Sequence, residues 1–390
     1  MAGAAVALPD DTQEAGPPAR SVWGQALRRL LRKRLALAAL VLIGCFYFVG
    51  LFAPLLAPYD YRDTNVEELQ FQGPSLAHPF GTDRIGRDLL THVIWSARTT
   101  MIVTVATVVA GGLVLGVGLG LLAGYVGGKV DTAIMRTGEI FISLPGLPML
   151  ILINATMAPR AENGVGWLES HISSDTLQEA LEARAGPEFV FLALLGALAV
   201  AGVAGLAAWL VAGEERRRGA WLTPFIAAAV VVTSLWAVQA IFATDGAADY
   251  FLIFGALSLF SWAGGARVIR SQVLAIRETE YVLAARAMGA STWRIVGSHL
   301  LPNVMPIIIV GLSAGLGGIA GSEVALTFLG VGVHEPTPSF GAMISRAASI
   351  NLLEDYPHLL LAPGIVVALL IFSFNLLGDA LNDVLTPRAR

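Results

Sequence analysis

Tyr281-Val-Leu-Ala-Ala-Arg-Ala-Met-Gly-Ala-Ser-Thr-Trp-Arg-Ile-Val-Gly-Ser-His-Leu-Leu-Pro302 is a charged stretch set between two apolar segments. It carries Arg286 and Arg294, with Arg267, Arg270 and Arg277 just upstream. The stretch reads as two short helices broken at Gly289-Ala290-Ser291, because Gly costs about 1 kcal/mol against Ala in a helix interior. Pro302 marks a new helix start, where a missing N–H costs little. A basic helical hairpin between membrane spans is what a membrane subunit offers a soluble partner. Its charge alone better fits a loop that only fixes topology.

Composition places the hairpin in a membrane protein. Of 390 residues, 55% are hydrophobic and 14% charged, against about 25% charged in an ordinary soluble domain. Several uncharged runs are long enough to span a bilayer. The net charge of −4 says nothing about nucleic acid, because the basic residues are confined to particular loops, and no nucleic-acid partner is expected of a membrane protein. The single cysteine, Cys45, lies inside an apolar run, which excludes an intramolecular disulfide. The six histidines are scattered without metal-ligand spacing, and no metal site is expected.

The chain divides as follows. Residues 1–34 are a cytoplasmic tail without a signal-peptide core, ending in a basic segment from Trp23 to Arg34. That segment fits either an amphipathic helix on the membrane surface or positive flanking charges, and both place the N-terminus in the cytoplasm. Residues 35–57 hold the first span, ended by Pro54 and Pro58, and 58–98 are an external segment too long for a plain loop, so it folds against something. Residues 99–157 hold the second span, Thr99 to Tyr125, and the third, about Thr132 to Met157, kinked at Pro145 and Pro148. Gly116 and Gly120 form a GxxxG for close helix approach. Residues 158–249 contain a polar, partly helical segment and two more apolar runs, Phe189 to Ala212 and Trp221 to Ala243. Residues 250–390 hold the last three spans, Tyr250 to Ala266, Val304 to about Gly330 and Gly364 to about Leu385, with the basic loop 267–302 between the first two. That gives eight spans in an all-α polytopic protein. The connections at Gly127–Asp131, Gly213–Gly219 and Arg267–Leu301 then face the cytoplasm together with both termini, and they carry the juxtamembrane Arg and Lys as the positive-inside rule requires.

The hairpin resembles the "EAA" loop of permease subunits in binding-protein-dependent ABC importers: EAA, three residues, Gly, nine residues, then I-x-L-P. Ala284, Ala285, Gly289, Leu301 and Pro302 match, Leu283 replaces the usual Glu with Glu280 one turn earlier, and His299 replaces Ile. Four further stretches are similar to the dipeptide/oligopeptide permease family, "C" type: His78-Pro-Phe-Gly-Thr-Asp-Arg-Ile-Gly-Arg-Asp88, Tyr125-Val-Gly-Gly-Lys-Val-Asp131, Glu323-Val-Ala-Leu-Thr-Phe-Leu-Gly-Val-Gly332 and Phe374-Asn-Leu-Leu-Gly-Asp379. The resemblance covers about 25–157 and 250–390. It implies the type I ABC importer permease fold with six family spans, so that 158–249 adds an external segment and two spans without changing sidedness downstream.

The resemblance also implies roles. Glu280, Ala284, Ala285, Arg286, Gly289, Ala290, Ser291, Arg294, Leu301 and Pro302 would form the ATPase-coupling loop, with Gly128 and Asp131 as a second contact or a simple tight turn. Glu323, a carboxylate within a span, lines or gates the path or makes a structural hydrogen bond. Glu139 and Asp379 are expected to pair with arginines such as Arg136 or Arg388. Asp83, Arg84, Arg87 and Asp88, with His78, either receive an external binding protein or pack on the partner permease. No GxxxxGK[ST] occurs, so ATP and Mg would be bound by separate ATPase subunits, two distinct chains or a homodimer. The remaining expected partners are a homologous second permease, an extracytoplasmic substrate-binding protein and the bilayer of a bacterial or archaeal cytoplasmic membrane. The cargo implied is di- or oligopeptides, with nickel chelates, glutathione or another small solute as alternatives. A secondary transporter would show internal repeats and charges on several spans, and an intramembrane enzyme would show a nucleophile and base; neither pattern stands out.

Overall fold

The computed structural model describes residues 29–146, 148–153, 156 and 247–385. The N-terminal tail, most of the segment 158–249 with its two expected spans, and Arg388 lie outside the described residues. The described chain is helical: α1 Arg34–Leu51, α2 Ala53–Leu56, α3 Val66–Leu69, α4 Leu89–Val126, α5 Gly128–Ser143, α6 Ala247–Arg277, α7 Glu280–Ala287, α8 Thr292–Phe328, α9 Phe340–Ala347, α10 Ile350–Asp355 and α11 His358–Leu385. Among the described residues, α1, α4, α6, α8 and α11 are long and apolar enough to cross a membrane.

The central packing is α4 on α6. Gly111, Gly116, Gly120 and Gly124 form a row on α4 that faces Ser258, Trp262, Ala266 and Val273 of α6. A Cβ on Gly111 would lie 2.7 Å from the Ser258 Cα, and one on Gly120 would lie 2.8 Å from the Ala266 carbonyl oxygen. The row has a five-residue step from Gly111 to Gly116, and Val108–Val117 is π-helical. Bonds from i to i+5 bring residues five apart onto one face, so the wide turn keeps Gly111 in line with the four-residue steps that follow. A second close seam joins α8 to α11, where a Cβ on Gly378 would lie 3.1 Å from the Ala314 Cα. Helix α1 packs on α11 through Ala36, Ala380 and Val384, and the Lys33 Nζ lies 2.9 Å from the Asp383 carboxylate.

Several boundaries depart from the sequence reading. Helix α4 begins at Leu89, ten residues before the expected Thr99, because Asp88 caps it by accepting from the Thr91 N–H at 2.8 Å and the Thr91 hydroxyl at 2.7 Å. Polar residues in its first turns, His92, Ser96 and Arg98, made the segment look like a loop, yet all three are buried. The expected third span breaks: α5 is 16 residues long and stops at Ser143, with Leu144 extended (φ −81°, ψ 139°) before Pro145, as the residue preceding a proline prefers. A helical turn resumes beyond it, the Met149 N–H donating to the Pro145 carbonyl at 3.1 Å. Helix α6 does not stop near Ala266 but continues to Arg277 over 31 residues. Helix α11 starts at His358, ahead of the expected Gly364, and carries Pro363 inside it, and α9 and α10 fill the connection between the last two expected spans.

The two ends of the bundle differ. At the Leu89 end of α4, residues 58–88 and 330–357 form a collar whose core is Leu89, Val93, Phe340, Met343 and Leu359, with Phe71 stacked on Tyr356 at 4.5 Å. The long segment after the first span therefore does fold against the rest of the chain. At the other end, Ile269, Val273, Val282, Ile295, Leu300 and Val304 gather α6, α7 and α8 into one cluster.

The α4–α6 seam yields a direct test. Gly120→Val is expected to destabilise the protein by about 1–3 kcal/mol, the usual cost of overpacking, read as a lower unfolding midpoint in detergent. Gly118→Ala, where an added Cβ meets nothing within 4 Å, is expected to leave the midpoint unchanged or higher. Equal midpoints for Gly120→Val and the natural protein would remove the seam as the organising contact.

Candidate functional site

The hairpin is built on α6. Beyond Ala266 the helix runs on for roughly 15 Å at 1.5 Å per residue, carrying Arg267, Arg270 and Arg277, so these belong to a rigid helix and not to the loop. The chain turns at Thr279, whose hydroxyl donates to the Ile276 carbonyl at 2.6 Å. Helix α7 buries Val282 and Ala285 and exposes Glu280, Leu283, Ala284 and Arg286. It ends in a Schellman cap: the Ala290 N–H donates to Ala285 and the Gly289 N–H to Arg286, both at 3.0 Å. Gly289 has φ +81°, a left-handed conformation that costs an L-residue about 1–2 kcal/mol.

The second half of the stretch opens α8 at Thr292, without a new start at Pro302. Val296–Leu300 is π-helical, the Leu301 N–H donating to the Val296 carbonyl five residues back, and the helix continues through Pro302. The expected break at Gly289 is therefore present, and the expected helix start at Pro302 is replaced by a continuous helix. Ser291, Arg294 and Pro302 are exposed, Ala290 and Leu301 half-buried. Around the turn the most exposed large apolar side chains are Met288 (82%) and Trp293 (85%). Both lie within residues 281–302, and their signal, large apolar residues beside a turn glycine in a charged loop, is visible in the sequence.

Three ties hold the hairpin base to the bundle. Arg270 makes a two-pronged salt bridge to the Asp131 carboxylate of α5. Arg277 donates to the Gly124 carbonyl at 2.9 Å. The Arg286 guanidinium sits 5.7 Å from the centre of the Tyr125 ring. Gly127 and Gly128 make the turn between α4 and α5 with φ of +68° and +57°. Arg136 pairs with Glu139 at 2.8 Å.

Away from the hairpin, a groove of 720 Å³ opens between α4, α6, α8 and the turn after α5. Gly112, Leu150, Phe260, Ile308 and Gly315 are on its walls, and Ser261 and Ser322 supply hydroxyls. Glu323 follows Ser322 but faces α4. Its carboxyl is fully buried and accepts from the Thr100 hydroxyl at 2.8 Å and the Thr327 hydroxyl at 3.4 Å. The Thr327 oxygen in turn accepts from the Val333 N–H at 3.3 Å, which ties the end of α8 to the following turn. Thr100 was not singled out in the sequence; its role depends on a partner 223 positions away.

The collar residues separate. Asp88 caps α4 and bonds the His78 Nδ1 at 3.0 Å. Asp83 accepts from the Ile85 and Arg87 N–H groups, both at 3.0 Å, and from the Arg87 Nε at 2.9 Å. Arg87 also reaches Glu335 at 3.4 Å, and Arg346 pairs with the same Glu335. Of the four expected residues only Arg84 is exposed; Arg87 and Asp88 are buried within the chain. Burial, and secondarily the positive charge of Arg87, lower the pKa of Arg346 from the usual guanidinium value.

Residues 202–390 match the family of binding-protein-dependent transport system inner membrane components, and residues 21–74 match the N-terminal TM domain of oligopeptide transport permease C. Over 382 residues the chain is 30% identical to the dipeptide transport system permease protein DppC of Alkalihalophilus pseudofirmus, covering 98% of this chain and 94% of that protein. The chain belongs to the DppC/OppC family of ABC transporter permeases. This permease is 26% identical to the Bacillus subtilis oligopeptide transport system permease protein OppC (99% and 96% covered) and 26% identical to the glutathione transport system permease protein GsiD of Pectobacterium atrosepticum (95% and 93%). The family and the apolar helices make it a multi-pass inner-membrane protein.

Asp131→Ala in this permease leaves the Arg270 guanidinium without its carboxylate. A loss of about 1.5–3 kcal/mol is expected, the scale of hydrogen bonds to charged groups, measured by thermal unfolding. The exchange Asp131→Arg with Arg270→Asp is expected to recover part of it, and a single variant as stable as the natural protein would discount the pair.

Proposed function

We propose that this permease forms half of the translocation path of an ATP-driven importer of di- or oligopeptides and couples to separate ATPase subunits through the hairpin Glu280–Pro302. The observation that carries this reading is the shape of the hairpin: a helix closed at Gly289 by its own backbone, with its outer face exposed and its inner face fixed to α6 and α8 by Val282, Ile295 and Leu300. A docking element needs both a free face and a rigid connection to the spans. Met288 and Trp293 supply apolar anchors of the kind that dominate interfaces, while Glu280, Arg286 and Arg294 supply charge at the rim. Glu280 and Leu283 share the exposed face, three residues apart, so Glu280 stands where it can take over the acidic function that Leu283 lacks. Gly128 and Asp131 form a second, smaller contact, with Asp131 acting through Arg270.

In this scheme the hairpin end faces the cytoplasm, as do both termini, which puts Arg267, Arg270, Arg277, Arg286 and Arg294 on the inner side. The fold is the type I importer architecture, with six family spans plus the two in 158–249. The ATPases bind ATP and Mg, and their closure moves the hairpin. The lever of α6 and the start of α8 carry that motion to the groove walls. Glu323 braces α8 against α4, so any gating it performs runs through that brace. A homologous permease supplies the other half of the path, and a substrate-binding protein docks at the collar near Arg84 and the exposed edge of Asp83. A second cargo, glutathione, is favoured by the Pectobacterium relative; nickel chelates and other small solutes would use the same architecture.

Co-expression with neighbouring ATPase, second-permease and binding-protein genes is expected to yield one complex, and purification without any ATPase would refute the coupling. Within that complex, Gly289→Trp is expected to abolish substrate-stimulated ATP hydrolysis while membrane insertion persists. Gly289→Asn, which tolerates the left-handed backbone, is expected to retain most of the stimulation. Full stimulation in Gly289→Trp would mean that nothing docks at the turn.

A further inference from the structure

A second cavity, of 380 Å³, lies in the collar, apart from the groove and the hairpin; it shares Asp83 and Arg84 with the surface proposed for the binding protein. It is within the size range of small-molecule sites, about 300–1,000 Å³. Its charged lining is three guanidiniums, Arg84, Arg87 and Arg346, against two carboxylates, Asp83 and Glu335. The carboxylates do not balance the arginines. Asp83 is committed to Arg87 and to the backbone of its own turn. Glu335 alone serves both Arg87 and Arg346, although its side chain is 54% exposed. Arg87, by contrast, is 7% exposed and held in place. Arg84 lines the same cavity and has neither a hydrogen bond nor an ion pair among the described residues.

Apart from His92, whose ring Nε2 lies 3.1 Å from the Tyr61 carbonyl, the remaining walls are apolar, among them Phe71, Leu89, Met343, Leu352 and Leu359. A single excess positive charge suits a monoanion better than a phosphate dianion. Planar guanidiniums suit the two oxygens of a carboxylate. Apolar walls beside them suit a side chain next to that carboxylate. We propose that this cavity binds a small ligand carrying a carboxylate beside an apolar side chain, the chemistry found at the C-terminal residue of a peptide. Glu335 is the resident counter-ion, and the incoming carboxylate takes its place between Arg87 and Arg346 while Arg84 closes over it. The link to cargo rests on the peptide reading above; binding itself does not.

The test uses the full-length chain in lipid nanodiscs and titrates N-acetyl-leucine against N-acetyl-leucinamide by calorimetry. The acid is expected to bind saturably and about tenfold more tightly than the amide, the scale of one lost charge-assisted contact. Arg84→Gln, an exposed and unpaired position, is expected to weaken acid binding about tenfold without changing the unfolding midpoint. Glu335→Gln is expected to strengthen acid binding, a gain that misfolding cannot mimic. Equal binding of acid and amide, no saturable binding, or indifference to Arg84→Gln would each overturn the proposal. So would a result in which Arg84→Gln abolishes association with the binding protein while neither probe binds, since the cavity would then be a protein-docking site. ATPase coupling is not read in these titrations, so their failure leaves the importer reading intact, and loss of coupling in the hairpin variants leaves this one intact.

Discussion

The contact between α4 and α6 along four glycines sets the geometry of everything else. In a bilayer, apolar side chains gain little by leaving lipid, so helices associate through dispersion and close backbone approach. Gly111, Gly116, Gly120 and Gly124 bring the second half of α4 against residues 258–273 of α6. With α6 held there, its extension beyond Ala266 points in a fixed direction, and the hairpin is placed at a fixed height above the bundle. The opposite wall of the same helix pair is left open, and Gly112, Phe260 and Gly265 line the groove there. One row of missing side chains thus determines both where the hairpin stands and where the void lies.

Polar interactions do a different task. The Thr100–Glu323–Thr327 set joins α4 to α8 in a region otherwise packed by apolar contact. A carboxyl group there is costly unless hydrogen-bonded, which makes the bond a specific register mark between the two helices. In the collar, Asp83 and Asp88 use side-chain acceptors to satisfy backbone N–H groups of a turn and a helix start. A segment without regular structure is thereby held firmly enough to close one end of the bundle.

Much of this was legible in the residues. Apolar run length located the described spans, Gly116 and Gly120 announced the close seam, and the Gly289 break was placed correctly. The errors share a cause. Hydropathy treats a polar residue as exposed, so His92 and Arg98 hid the first ten residues of α4, and Arg267 to Arg277 hid the last turns of α6. The alignment of Gly111 with Gly116 could not be read, because a five-residue step fits no ordinary helical face until the π-turn is seen. Likewise Pro302 looked like a boundary, since the widened turn that carries it inside α8 leaves no mark in composition. Pairings such as Thr100 with Glu323 or Arg346 with Glu335 depend on tertiary placement and have no local signature.

The Schellman closure at Gly289 separates backbone form from surface chemistry in the hairpin. Its shape is secured by two main-chain bonds and one left-handed glycine, none of which involves the side chains on the outer surface. The cap does not depend on those side chains: Leu283 occupies the position of the usual glutamate, and α7 still caps in the standard way. Residues on that surface can therefore be replaced one at a time, each intermediate keeping a properly formed element. The glycine itself has no such latitude, and it anchors a module whose vocabulary can change while its grammar stays constant.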